Sequence, residues 1–364
     1  MSFTNEKQIK FKSSNEKLAK ISISNKNIFS MESSRLKHGE YEFNANGSYH
    51  EVKFSDDWSK LRDDRYRQYR REWEEVPRNR ISTDFPLHLD IETTNICNLQ
   101  CPMCPRTVML ANQSFSDLGF MDNVEYKKII DEGALHGLRS IKLNYLGEPL
   151  SHPDVVWHVE YAKSRGILDV MMNTNASLLS KDLSVKLLNA GLDNLFVSFD
   201  AIDPGDFESQ RTGTSIGKVI DNLYNFSILR KNIRPSCQIR VSMVMYKESK
   251  WQEQFEAMKV MWRNHVDALG FGYFIDRQED LLSVYPEVKG FHCAQPFQRM
   301  FLKFNGNVTI CCVDDKDETI VGNWRNTSLY DVWNSEPYKI IRNKHSSGAY
   351  YDMEMCRKCY LPVS

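Results

Sequence analysis

The cysteines constrain this chain more than any other feature. They fall into an early triplet, Cys97, Cys101 and Cys104, a loner, Cys237, and a late group, Cys293, Cys311, Cys312, Cys356 and Cys359. Nine thiols at uneven spacing fit a disulfide framework badly. The N-terminal MSFTNEKQIKFKSSNEK lacks the apolar segment of a secretory signal, and no run approaches the roughly 18 apolar residues of a membrane helix. The expected setting is cytoplasmic, where thiols stay reduced and cysteine clusters point to metal or thiol chemistry. Lys plus Arg number 47 against 48 Asp plus Glu, so no global field draws the chain to nucleic acid or anionic lipid. The 364 residues suffice for two domains, or for one large domain with an appendage.

Residues 1 to about 55 are polar and without periodicity, with short strands expected near 20–24 and 41–43. Over 58–76, Leu61, Tyr66, Tyr69, Trp73 and Val76 recur at near-helical spacing. The arginine face of that helix, Arg65, Arg67, Arg70 and Arg71, reads as a solvated surface, with phosphate contact the alternative. From Pro86 the rhythm changes. Strands are expected at 87–93, 140–146, 168–174, 194–200, 239–245 and 268–274, and helices at 122–137, 153–165, 180–190, 215–232 and 249–265. Gly133, Gly166 and Gly191 would cap three of these helices. Strand–helix units in this order imply a parallel α/β sheet with active residues at the C-terminal strand ends. The expected division is a polar extension over 1–85, a core over 86–288 and a cysteine-bearing domain over 289–364.

The stretch T-N-I-C-N-L-Q-C-P-M-C-P-R places Cys97, Cys101 and Cys104 in a C-x3-C-x2-C array directly after the first core strand. Three thiolates on one loop can hold three irons of a [4Fe–4S] cluster and leave the fourth iron open. Zinc is the competing metal, but a structural zinc site wants four ligands, and no further Cys or His is near in sequence. Buried inert thiols are the remaining reading.

This array on the loop after the first strand of a β/α repeat resembles the radical S-adenosylmethionine (radical SAM) superfamily. The resemblance implies an incomplete parallel (β/α)6 barrel whose open iron chelates S-adenosylmethionine. Reductive cleavage then yields a 5′-deoxyadenosyl radical that removes a hydrogen atom from the substrate. Met103 stands where the family usually has an aromatic residue. N-Y-L-G-E-P-L is similar to the family's G-G-E-P, with Leu146 at the first glycine, and assigns Gly147 and Glu148 to the methionine amine. N-T-N-A-S-L-L resembles T-N-G-T-L-L and assigns Asn175 to the nucleoside side. Ser198 in V-S-F-D-A and Arg211 in R-T-G match carboxylate-binding positions.

The segment F-L-K-F-N-G-N-V-T-I-C-C reads as a hairpin with N-G at its turn. With the closing C-R-K-C pair and the G-N-W and L-Y-D-V-W-N-S stretches, it resembles the SPASM and twitch extensions that hold auxiliary [4Fe–4S] clusters. Five thiols are too few for two such clusters. One is expected, on Cys293, Cys311, Cys356 and Cys359, with zinc on the same residues as the alternative. Alternation along a strand would aim Cys311 and Cys312 at opposite faces. Which of the two ligates stays open. The spare thiol, taken as Cys312, is either inert or a hydrogen-atom donor to a substrate radical. Cys237 is expected in the core, and His152 as structural.

The resemblance implies an enzyme that abstracts hydrogen from an unactivated C–H bond of a small polar, carbohydrate-like substrate, leading to dehydrogenation, epimerisation or elimination. It also implies a reductant such as flavodoxin or ferredoxin. Peptide modification is the alternative, a zinc-stabilised non-enzymatic scaffold a more distant one, and a tRNA-modifying member a third, tied to the arginine-rich helix. Neither a membrane nor a nucleic acid is expected as partner. The substrate pocket is expected between the two clusters.

Overall fold

The computed structural model describes residues 41–43, 49–115, 117–245, 251–274 and 284–359. The strand expected at 20–24 lies outside them. Strands β1 (Tyr41–Phe43), β2 (Tyr49–Lys53), β3 (His88–Ile91), β4 (Ser140–Lys142), β5 (Asp169–Thr174), β6 (Asn194–Ser198), β7 (Gln238–Met245), β8 (Ala268–Tyr273), β9 (Arg299–Leu302), β10 (Asn307–Thr309) and β11 (Gly322–Asn323) form one sheet. Its order is β1-β2-β8-β7-β6-β5-β4-β3-β9-β10-β11. Strands β3 to β8 run parallel in sequence order, and each is one of the strands expected from the sequence.

Helices at Asn123–Leu135, Val155–Ser164, Lys181–Ala190, Ile216–Ile233 and Trp251–Trp262 return the chain between these strands. Alternation along the strands does the sorting. Ile141, Val170, Met172, Leu195, Val197, Ile239, Val241 and Met243 are buried in the main core, while Lys142, Met171, Phe196, Ser198, Arg240 and Ser242 on the other face are half-buried. Helix starts are set by side chains of Asp122, Ser180 and Ser215 accepting first-turn amides. Gly191, at φ +100°, ends Lys181–Ala190 as expected. Gly133 does not cap its helix. It is buried inside Asn123–Leu135, where a Cβ would stand 2.7 Å from Leu138 Cδ2, and Gly137, at φ +75°, follows the helix end instead.

Among the described residues the sheet does not close on itself. At one edge β9 joins β3 in parallel and β10 and β11 continue antiparallel, which is the hairpin read from N-G. At the other edge β2 pairs antiparallel with β8, and β1 with β2. The arginine-bearing helix, Asp64–Arg78, packs Tyr66, Tyr69 and Val76 against Leu87 and Phe297. Its arginines are used locally: Arg65 pairs with Asp63, Arg67 with Asp64, and Arg70 lies over the Tyr69 and Trp73 rings. Among the described residues no helix is long and apolar enough to cross a membrane.

One carboxylate ties the N-terminal segment to the sheet. Buried Asp193, between Lys181–Ala190 and β6, accepts from Arg62 Nη1 at 2.9 Å, Lys163 Nζ at 2.7 Å, Arg234 Nη2 at 2.6 Å and the Val170 amide at 2.9 Å. Removing it takes a buried carboxylate from three cations. Arg62 keeps Asp169 at 3.5 Å, while Lys163 and Arg234 are left without an acidic partner among the described residues in a largely buried site. Asp193→Ala is expected to cost about 3–5 kcal/mol in urea unfolding; a loss under about 1 kcal/mol, the scale of an exposed pair, would contradict this.

Candidate active site

The chain leaves β3 into a loop that carries the cysteine triplet and ends in the helix Pro105–Ala111, with Cys104 as its N-cap. Bonds from several segments fix the loop. Thr94 Oγ1 donates to Gly119 O at 2.7 Å, Asn95 Nδ2 to Asp117 O at 2.7 Å, and the Gly119 amide to Asn95 Oδ1 at 2.9 Å. The Gln100 amide donates to Thr212 O and the Glu148 amide to Ile96 O, both at 2.9 Å. Buried Arg106 donates from Nε to Asn95 O at 2.5 Å. Sequence reading missed Arg106; a charged residue two positions after Cys104 was the available signal.

Gly147 is required by proximity rather than by its backbone angles. A Cβ there would stand 2.1 Å from Thr94 O and 2.9 Å from Ile96 O, so only a hydrogen fits between the two loops. Gly213 of the R-T-G motif, at φ +113°, packs in the same way on Leu99 and the Asn98 carbonyl. Leu146 keeps its place in the turn by donating its amide to Glu92 Oε1 at 3.0 Å.

Two of the residues assigned by motif reach the triplet directly. Asn175 Nδ2 stands 4.0 Å from Cys97 Sγ and 3.1 Å from Asn98 Oδ1, and its Oδ1 accepts from the Ser177 amide and hydroxyl. Arg211 Nη1 stands 4.0 Å from Cys101 Sγ while Nε is held by Asp200 Oδ2 at 2.5 Å. Glu148 is buried, and its carboxylate is already engaged: Oε1 accepts from Thr174 Oγ1 at 2.6 Å and the Leu150 amide at 3.1 Å, and Oε2 from the Asn175 amide at 2.8 Å. It locks the turn after β4 to the end of β5, with one acceptor position left on Oε2. Ser198 ends β6 in register with Ser242, and its hydroxyl makes no hydrogen bond to the triplet loop among the described residues. His152 accepts from the Asp154 amide through Nδ1 and meets Met121 O through Nε2, so both ring nitrogens serve structure. Cys237 is fully buried.

Burial pushes the Cys97 thiol up to about 11 and raises that of Cys101. At neutral pH these thiols keep their protons until a metal displaces them. Three cysteines on a braced loop, with an amide and a guanidinium beside their sulfurs, match the donor set of a cluster with one iron left for a chelating ligand.

The late cysteines depart from the expected strand alternation. Strand β10 ends at Thr309, and the chain then turns, with Asp314 N donating to Cys311 O at 3.3 Å. Strand alternation therefore does not govern Cys311 and Cys312: Cys311 is half-buried, Cys312 is exposed, and both line the same cavity. Interaction between the two neighbouring thiols holds Cys311 well above the ordinary thiol range and draws Cys312 down to about 6. Gln295 clamps Cys312, accepting its amide at 3.0 Å and donating Nε2 to its sulfur at 3.3 Å. Burial pushes Cys356 up to about 12 and raises Cys293 as well. Among the described residues no three Cys, His, Asp or Glu side chains are grouped closely enough for a single metal ion. A zinc ion draws its thiolates together at about 2.3 Å from one centre, whereas a cubane seats each on a separate iron and spaces them wider.

All five late cysteines line one cavity of about 1330 Å³ together with Pro102, Met103 and Pro105 of the triplet loop, while Cys97, Cys101 and Cys104 themselves are not among its lining residues. Glu92, Asn95, Lys303, Asp315 and Asp317 also line it. Lys303 is buried beneath it, donating to Asp314 O at 2.8 Å and pairing with Asp317. Glu92 closes its inner end, and burial raises its carboxyl even though the Phe304 and Leu146 amides donate to it. Sequence reading missed Glu92, Gln295 and Lys303, because their place in the cavity depends on β9 joining β3.

A model of the radical SAM superfamily matches residues 91–257, and one of SPASM, an iron–sulfur cluster-binding domain, matches 293–360. A probable GTP 3′,8-cyclase of Methanococcus maripaludis is 34% identical over 129 residues, 35% of this chain and 41% of that protein. One of Methanothermobacter marburgensis is 37% identical over 116 residues, 32% and 36% of the respective chains. The chain thus spans less than half the length of these curated relatives. Among solved structures, BtrN in complex with AdoMet and 2-DOIA aligns with a TM-score of 0.52 at 16% identity, covering 77% of this chain and 94% of that one. SuiB of Streptococcus suis bound to S-adenosylmethionine gives 0.53 at 17%, covering 77% and 73%, and anSMEcpe with bound AdoMet 0.54 at 13%, covering 71% and 83%. These likenesses concern the fold. The radical SAM domain implies a [4Fe–4S] cluster and S-adenosylmethionine, and the SPASM domain implies auxiliary iron–sulfur chemistry.

Gly147→Ala is expected to push the 94–97 loop aside and lose the iron held by the triplet, with the far-UV circular dichroism unchanged. Full iron content in a folded Gly147→Ala protein would contradict the close-approach account.

Proposed function

Because a radical SAM model matches residues 91–257 and a SPASM model residues 293–360, we propose that the chain is a radical SAM enzyme that abstracts a hydrogen atom from an unactivated C–H bond of a small polar, carbohydrate-like substrate. The observation that carries this reading is the cavity shared by Pro102, Met103 and Pro105 of the triplet loop and the late cysteines. When bound, the cluster and S-adenosylmethionine supply a 5′-deoxyadenosyl radical, and an auxiliary cluster supplies a sink for the substrate electron.

The chain's own residues do the positioning. Arg211, pinned through Nε by Asp200, leaves the rest of its fork for the methionine carboxylate, with Ser198 at the neighbouring strand end. Asn175 faces the nucleoside side, and Glu148 fixes the turn whose Gly147 allows the close approach, keeping an acceptor position for the methionine ammonium. Along the cavity, Glu92, Asn95, Lys303, Asp315 and Asp317 offer the mix of donors and acceptors that a hydroxyl-rich substrate matches, while Met103, Val108 and Met109 exclude water. One auxiliary cluster is held by Cys293, Cys311, Cys356 and Cys359. Cys312, held by Gln295 at the cavity wall, is then free to return a hydrogen atom. Loss of a hydrogen atom, a proton and an electron gives dehydrogenation; return of a hydrogen atom from Cys312 to the other face gives epimerisation. The thiyl radical then left on Cys312 takes one electron from the flavodoxin or ferredoxin reductant and a proton to restore the thiol. On this reading residues 86–288 are the radical SAM core, 289–364 the cluster domain and 1–85 an extension, working in the cytoplasm with flavodoxin or ferredoxin as reductant.

Peptide modification is the second reading, favoured by the fold likeness to SuiB, a structure of which is described as bound to the precursor peptide SuiA. Anaerobic incubation of reduced protein with S-adenosylmethionine is expected to form 5′-deoxyadenosine, and Cys97→Ala, Cys101→Ala or Cys104→Ala to abolish it. Deuterium from a ring-deuterated cyclitol or aminocyclitol should appear in that product. Wild-type turnover in a triplet variant would overturn the assignment, and deuterium arriving from a peptide but never from a cyclitol would favour the second reading.

A further inference from the structure

The helix Glu336–Ser347 buries Tyr338, Arg342 and His345 along one face. Arg342 donates to the Pro296 and Trp333 carbonyls at 3.0 Å each, and Tyr338 Oη to Arg299 O at 2.9 Å. These bonds fix the helix against the segment that starts at Cys293. His345, only 1% exposed, is then set between two cysteines that are far apart in sequence. The Cys293 backbone amide meets Nδ1 at 3.2 Å, and Nε2 stands 3.9 Å from Cys356 Sγ.

The tautomer follows from the first of these bonds. A backbone N–H can only donate, so Nδ1 must present its lone pair. A ring that accepts at Nδ1 is the neutral imidazole with its one proton on Nε2, aimed at the Cys356 sulfur. Iron ligation through Nε2 would need that nitrogen's lone pair, and hence the loss of the Cys293 bond. We propose that His345 is a positioning residue that donates Nε2–H to the Cys356 sulfur, ties Cys356 to Cys293 and raises the reduction potential of the auxiliary cluster. This rests on the reading that Cys293 and Cys356 hold such a cluster. An N–H···S bond draws charge from the thiolate and favours the reduced, more negative state of the cluster, so hydrogen bonds to sulfur tune the potential. The effect would make the cluster a readier acceptor of the substrate electron.

The test uses the full chain carrying Cys97→Ala, Cys101→Ala and Cys104→Ala, in which only late-cysteine iron remains. About four irons per chain are expected there. Absence of iron would overturn the auxiliary-cluster reading and this inference with it. With iron present, an EPR-monitored redox titration should give a lower midpoint for His345→Leu and a midpoint near that of the parent for His345→Gln, whose amide can still donate. An unchanged midpoint in an iron-replete His345→Leu protein would overturn the role of His345 while leaving the cluster in place. Should His345→Leu lose its iron, the parent protein with 15N-labelled imidazole decides by pulsed EPR. A weak nitrogen coupling supports the hydrogen bond; a strong coupling, meaning ligation, or none at all, overturns it.

Discussion

The site depends on how closely two loops approach each other. The turn after β4 lies so near the carbonyls of Thr94 and Ile96 that position 147 has no room for a Cβ. Across that contact the Glu148 amide donates to Ile96 O, and the Glu148 carboxylate collects bonds from Leu150, Thr174 and Asn175. The triplet loop, the β4 turn and the end of β5 thereby become one rigid body. Asn175 beside Cys97 follows from this, since it directly follows β5, whereas Arg211 reaches Cys101 from the C-terminus of the helix Pro204–Gln210, where Asp200 holds its Nε.

A second constraint brings the late cysteines to the same place. Strand β9 extends the sheet in parallel beside β3, carrying the hairpin and its cysteines over the C-terminal strand ends. Glu92, the residue after β3, couples the two parts by accepting amides from Leu146 and Phe304. The Tyr145 hydroxyl adds a bond of 3.1 Å to Cys311 O. The cavity between the cysteine groups is thus a product of sheet extension. It does not result from two domains that merely touch.

The repeating core was legible because period-two strands and 3.6-period helices leave strong marks, and all six core strands stand where the pattern places them. The motif order placed the triplet, Gly147 and Arg211 near one another, and the structure brings Arg211 Nη1 to 4.0 Å from Cys101 Sγ and Gly147 against Thr94 O. Gly133 misled because a glycine near a helix end reads as a cap, whereas here Leu138 packs into the missing side chain's space. Cys311 and Cys312 misled because strand alternation was carried beyond the point where the strand stops. Glu92, Gln295 and His345 could not be read at all. Their partners lie on other segments, up to 212 residues away for Glu92, and nothing local marks them.

The central claim is that one cavity lies between two iron sites, one on the triplet and one on the late cysteines. Anomalous diffraction at the iron edge, on crystals of anaerobically purified protein, addresses it directly. The account predicts two iron peaks, one held by Cys97, Cys101 and Cys104 behind the Pro102–Pro105 wall of the cavity and the other by Cys293, Cys311, Cys356 and Cys359. A single iron peak, or anomalous signal at the zinc edge in place of iron, would contradict it.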